Sequence, residues 1–139
     1  MSFLKMGGRM NAPIVGAGAW APDVAVTLDV LAAEIELSAA RCIFLDRIIA
    51  EVMEGLPEAE RGRLLEGLHA VDLLSQHLTS LSAFARGVSA ATPEGVSVPV
   101  GPALSEITLG ALAERMTAGL GGDYDDEAEA PDNGDVDLF

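Results

Sequence analysis

The chain has 139 residues, 22 of them acidic and 8 basic, with a formal net charge of −14. That length suits one domain, and an acidic surface is a poor partner for nucleic acid or an anionic membrane, since phosphate binding needs clustered Lys and Arg. A single cysteine, Cys42, excludes an internal disulfide and a Cys-rich zinc site, and no apolar run approaches the ~20 residues of a bilayer span. Half of the residues are apolar but only 4% are aromatic, a composition dominated by Ala, Leu, Val and Ile that favours helix packing over an all-β core.

Residues 1–23 read as a flexible N-terminal arm rich in Gly, Ala and Pro. Ala19-Trp20-Ala21 resembles a signal-peptidase site, but the preceding run carries Asn11, Pro13, Gly16 and Gly18 and makes a poor hydrophobic segment, so the expected location is cytoplasmic. Residues 24–91 carry the pattern of a long helical hairpin. In its first arm Leu28, Leu31, Ile35, Ser38, Cys42, Leu45, Ile49, Val52 and Leu56 follow at alternating steps of three and four, the spacing of a helix seam. Thr27 is the expected cap, Asp29 suits the first turn, and Ile43, Phe44 and Ile48 widen the apolar face beyond a two-stranded seam. Gly55 and Pro57 punctuate the end.

The second arm starts at Pro57, with Glu58 and Glu60 at the positive end of the helix dipole. Its stripe runs Leu64, Leu68, Val71, Leu74, Leu78, Leu81, Ala85, Val88, and nothing stops it before Thr92-Pro93. Each arm has ~30 residues, hence ~45 Å, and the short connection requires them to fold back antiparallel. Gly62 and Gly67 are expected to mark a close approach of backbones near the tip. Residues 92–122 read as a proline-containing extended connector followed by a short third helix. That helix is introduced by Pro102 and Ser105, carries Ile107, Leu109, Leu112, Met116 and Leu120 on one face, and ends at Gly121-Gly122. From Asp123 the chain has eight acids and no base, the composition of a disordered tail, yet it finishes Asp135-Val136-Asp137-Leu138-Phe139, an apolar hook. The fold class is therefore all-α. Broad apolar faces on a thin hairpin further predict a homodimer that completes a four-helix bundle, against a monomer whose third helix closes the core.

Enzyme signatures are sparse. There is no phosphate-cradling Gly-rich loop and no Gly-x-Ser-x-Gly elbow. His69 and His77 lie eight residues apart; with Asp72 and Gln76 beside them they fall short of a zinc ligand set, and neither has the sequence context of a phospho-accepting histidine. Cys42 lies on the apolar stripe and reads as a small hydrophobe. A sharper feature is the ridge Leu64, Leu68, Asp72, Gln76 at steps of four in the second arm. Spacing alone allows an ordinary polar boundary with an i,i+4 contact worth a few tenths of a kcal/mol.

The same pattern, Leu64-x3-Leu68-x3-Asp72-x3-Gln76 on the second arm of a long hairpin, resembles the signature of the CheZ-type phosphatases of bacterial chemotaxis and their small CheT relatives. The family has Ile where this chain has Leu68. The terminal segment with Val136, Leu138 and Phe139 resembles the segment with which that family grips its response regulator. The resemblance implies a phosphatase acting on the aspartyl phosphate of a CheY-like receiver domain, with Gln76 holding the attacking water and Asp72 pairing with the receiver's lysine. Leu68, Val136, Leu138 and Phe139 would serve partner binding. It implies no cofactor of its own, because Mg²⁺ resides on the partner receiver. The alternative is a non-catalytic helical adaptor that binds a partner through its bundle face and acidic C-terminal motif.

Overall fold

The computed structural model describes residues 20–122. Four helices follow in chain order: α1, Val24–Met53; α2, Glu58–Ala91; α3, Gly101–Leu104; and α4, Gly110–Gly119. The described residues hold no strand, only an isolated antiparallel bridge between Asp23 and Ser97. The fold is all-α, with the two long helices packed against each other as a hairpin. The tail from Asp123, read above as disordered with an apolar hook, lies outside the described residues, as do residues 1–19.

Two compact units divide the chain. One is the hairpin, residues 28–91. At its tip, the amides of Glu54, Gly55 and Leu56 each reach back three residues, to the carbonyls of Glu51, Val52 and Met53, at 3.2 Å. This tightening ends α1. The Pro57 carbonyl then accepts the amides of Glu60 and Arg61 at 3.1 Å and opens α2. Gly62 and Gly67 do not mark a close approach: a Cβ added at either meets nothing within 4 Å.

Small residues take that role instead. The buried positions of α1 are Ala32 and Ala39, and those of α2 are Ser75, Ser82, Ala85 and Ser89. Together with half-buried Leu28, Ile35, Cys42, Ile49, Leu64, Leu68, Val71 and Leu78 they form one inner stripe per helix. The expected stripe was half right. Its members every seventh residue, Leu28, Ile35, Cys42 and Ile49, turn inward, whereas Leu31, Ser38 and Val52 are exposed. In α2, Leu74, Leu81 and Val88 are likewise exposed, and the serines one residue further on are buried. Small side chains let two backbones approach closely, so the seam forms where Ala and Ser recur, and the bulkier residues are left outside. The seam is not wholly apolar: Asp46 buries one carboxylate oxygen that has no hydrogen-bond partner among the described residues.

An ion-pair group joins the two helices. The Arg86 guanidinium grips Glu36 in a bidentate contact, Nε–Oε2 2.7 Å and Nη2–Oε1 2.8 Å, and its third nitrogen lies 3.6 Å from Asp29. The hydrogen bond from Arg86 holds the Glu36 carboxyl below its ordinary range. A depressed carboxyl contributes stability that is fully present above its unfolded-state value, near about 4.3, and lost as pH falls through the lower folded value. Glu36→Gln is therefore expected to leave thermal stability less dependent on pH on the acid side, with little change in helicity. Parallel melting curves of the two proteins between pH 3 and pH 6 check this. The group is exposed, so the effect is small and screened by salt.

The second unit comprises residues 20–27 and 92–122 among those described. Two strand-like hydrogen bonds pair its segments: the Val24 amide donates to Val96 at 2.7 Å and the Val98 amide to Pro22 at 3.0 Å. Asp23 then supplies the first carbonyl of α1, accepting the Thr27 amide and the Thr27 hydroxyl, both at 3.0 Å. The helix thus starts at Val24, and Thr27 bonds back within its first turn instead of capping it. The third helix is interrupted. α3 ends where the Ser105 hydroxyl donates to the Pro102 carbonyl at 2.7 Å, and Leu109 is extended before α4 begins at Gly110. Ile107 and Thr108 are β-branched, and Gly110 follows, so the intervening turn costs little relative to helix. α4 closes with the Gly121 amide on Ala118 and the Gly122 amide on Thr117, at 3.1 and 2.9 Å, and with Gly121 at φ +84°. This is the Schellman ending that Gly121-Gly122 announced. The Trp20 indole Nε1 donates to the Leu120 carbonyl at 3.0 Å, across the same end.

Candidate functional site

Steps of four residues advance about 40° around a helix, so a ridge at that spacing winds slowly across its surface. The ridge of α2 does this. Leu64 and Leu68 are half-buried at the seam, and Asp72 and Gln76 are exposed. The Gln76 Nε2 donates to Asp72 Oδ2 at 2.8 Å. A carboxylate only accepts, so the amide nitrogen must face it, and the Gln76 carbonyl oxygen points the other way. The contact gives a flexible side chain a defined plane on an exposed helix surface.

Residues seven apart on either helix share a direction. Asp72, Thr79 and Arg86 do so on α2, and Asp29 and Glu36 on α1. Because Arg86 bridges to Glu36 and Asp29, these rows lie on one side of the hairpin, hereafter the polar flank. His69 and Gln76, also seven apart, lie next to the Asp72 row. The Arg86–Glu36–Asp29 group was not picked out by sequence reasoning. The signal that could have found it is that same sevenfold recurrence of polar residues.

The other sequence-selected groups do not assemble into a site. His69 and His77 are exposed, and Cys42 is half-buried in the seam. No group of three or more His, Cys, Asp or Glu among the described residues could hold a metal ion. Likewise no helix among them is long and apolar enough to cross a membrane. Val136, Leu138 and Phe139, selected for partner binding, lie outside the described residues.

Fold and site together define a helical-hairpin protein with a carboxylate–carboxamide pair on its outer surface. Residues 22–139 match the family described as a domain of unknown function, DUF8776, and the chain belongs to that family. No curated protein and no solved structure matches it. The matched span includes the hairpin, the interrupted third helix and the acidic tail through Phe139.

Proposed function

We propose that the protein is a cytoplasmic phosphatase that accelerates hydrolysis of the aspartyl phosphate on a CheY-like receiver domain. The observation that carries the reading is the exposed Gln76, oriented by Asp72, in the middle of a long helix, with no further side-chain hydrogen bond from that pair among the described residues. An acyl phosphate is already activated, and the receiver brings the Mg²⁺ and a lysine. A positioned water is what remains to be supplied. A carboxamide can donate to the phosphoryl group and accept from the water on one planar group, much as glutamine orients water in Ras-type GTPases. Water oxygen then attacks phosphorus, the phosphorus–oxygen bond to the receiver's aspartyl carboxyl breaks, and inorganic phosphate leaves. On docking, Asp72 exchanges the Gln76 amide for the receiver's lysine. This is catalysis by positioning, and it requires no shifted pKa.

The test is the decay of a phosphorylated receiver with and without the full chain, at matched Mg²⁺. Faster decay in proportion to added protein is expected. Binding without acceleration would instead favour the helical adaptor, in which the Asp72–Gln76 contact is an ordinary i,i+4 pair.

The acidic tail is assigned the role of tether. A weak contact through Val136, Leu138 and Phe139, joined to the bundle by about 15 residues, raises the local receiver concentration to roughly the mM range. Deleting residues 133–139 should therefore raise the apparent KM several-fold while kcat stays near its original value. Steady-state kinetics at varied phospho-receiver concentration check this, and an unaltered KM would remove the tether.

A further inference from the structure

The polar flank carries large apolar residues that the seam does not use. Ile43 follows Glu36 by seven residues on α1, and Phe44 stands next to it; they are 58% and 57% exposed. Arg47 is exposed as well. It follows Asp29 by eighteen residues, about five helical turns, and so shares that direction. Its guanidinium lies over the Phe44 ring, with Cζ 5.8 Å from the centroid. Among the described residues it enters no ion pair.

The contacts of Arg86 fix the level of these residues along the hairpin. Arg86 meets both Asp29 and Glu36. Two sevenfold steps toward the tip lead from Arg86 to Asp72 and, on the antiparallel helix, from Asp29 and Glu36 to Ile43 and Ala50. Asp72 is therefore level with the stretch from Ile43 to Ala50, which contains Phe44 and Arg47.

We infer that Phe44 and Arg47 form a docking contact for the receiver on α1, beside the Asp72–Gln76 pair of α2. This rests on the phosphatase reading and adds the first helix to the same site. Charge commits the surface to that occupant. A receiver that holds Mg²⁺ lines its pocket with oxygen ligands, carboxylates above all, and its phosphoryl group adds further negative charge. A chain with a net charge of −14 repels such a surface. Arg86 is already bonded to carboxylates, so Arg47 is the base at the level of Asp72 whose charge remains for a partner's acid. The ring beneath holds the guanidinium in place, so less freedom is lost on docking. Ile43 and Phe44 supply apolar area around it, and aromatic residues with Arg are what the centres of protein contacts favour. A second copy of the chain is a poorer occupant of this flank, because it would bring its own Asp29, Glu36 and Asp72 against the same acids.

Steady-state decay of the phospho-receiver, at varied receiver concentration and fixed ionic strength, tests the contact with the full chain. Arg47→Glu is expected to raise KM about 10-fold or more and to leave kcat within about twofold. Arg47→Lys keeps the charge and should recover most of that loss. Phe44→Ala frees the guanidinium and should raise KM several-fold. Both positions are exposed, so these variants should keep the native far-ultraviolet circular dichroism. Arg41→Glu changes the net charge by the same amount as Arg47→Glu, but it lies about a third of a turn around α1 and should leave KM unchanged. Acceleration by the native chain with an unaltered KM for Arg47→Glu would overturn the contact and leave the phosphatase reading standing. So would an equal rise for Arg41→Glu, which reports net charge alone, or a fall in kcat at constant KM. Decay that the native chain does not accelerate would overturn both.

Discussion

Under the proposed phosphatase function, replacing Gln76 by Ala is expected to remove the acceleration of receiver dephosphorylation almost entirely, a loss of about 100-fold or more at saturating protein. The side chain is exposed, and its one hydrogen bond among the described residues is to Asp72, so truncation costs the hairpin little stability. Binding to the receiver should survive, because the carboxamide contributes to the attack on phosphorus more than to docking. Gln76→Glu should fail as well. It keeps the size but loses the donor, and its charge opposes both Asp72 four residues away and the phosphoryl group. Asp72→Ala should behave differently, weakening docking and rate together, since it removes the proposed partner of the receiver's lysine and releases the carboxamide. The measurement is single-turnover decay of the phospho-receiver, with binding followed separately by titration. Native rates with both alanine variants would end the catalytic proposal.

The second large effect is expected at Gly122. A Cβ there would lie 2.3 Å from Trp20 Cζ2 and 2.6 Å from Cη2. No real contact is that short, so Gly122→Ala must push the indole out of its place. The shift breaks the hydrogen bond from Nε1 to the Leu120 carbonyl and exposes the buried Leu120 and Thr117. Overpacking of this kind costs about 1–3 kcal/mol. Trp20 is the sole tryptophan, so its fluorescence reports on this contact directly. The variant should show red-shifted emission and an earlier fluorescence-detected melt, while far-ultraviolet circular dichroism retains the signal of the long helices. Gly121→Ala strains a positive φ without striking the indole, so it should lower stability by only ~1 kcal/mol and leave the emission in place. Equal emission spectra for Gly122→Ala and the native chain would contradict the packing described.

Much of the hairpin was legible before any coordinates. The steps of three and four from Leu28 and from Leu64, broken by Gly55 and Pro57, specify two helices and the turn between them. The Gly121-Gly122 ending was equally plain, because few residues other than glycine adopt φ +84° without strain. The ridge from Leu64 to Gln76 was visible as spacing. Its passage from half-buried Leu68 to exposed Gln76 was not, since that depends on which side of α2 meets α1. The clasp of Trp20 on Leu120 joins residues 100 positions apart, and no local signal announces such a contact.

By itself, then, the chain's order of residues determined the helical class, the positions of the turns and the presence of two competing stripes on each helix. Local propensity and periodicity act over a few residues, and they suffice for that much. The choice between the stripes was made only in three dimensions. Leu31, Leu74 and Leu81 are the more hydrophobic candidates for a seam, yet Ala32, Ser75 and Ser82 take it, because close packing of two backbones rewards small volume over apolar surface. That choice turns Asp72 and Gln76 to one side and the leucines to the other. It is a property of two helices together, which neither helix encodes alone.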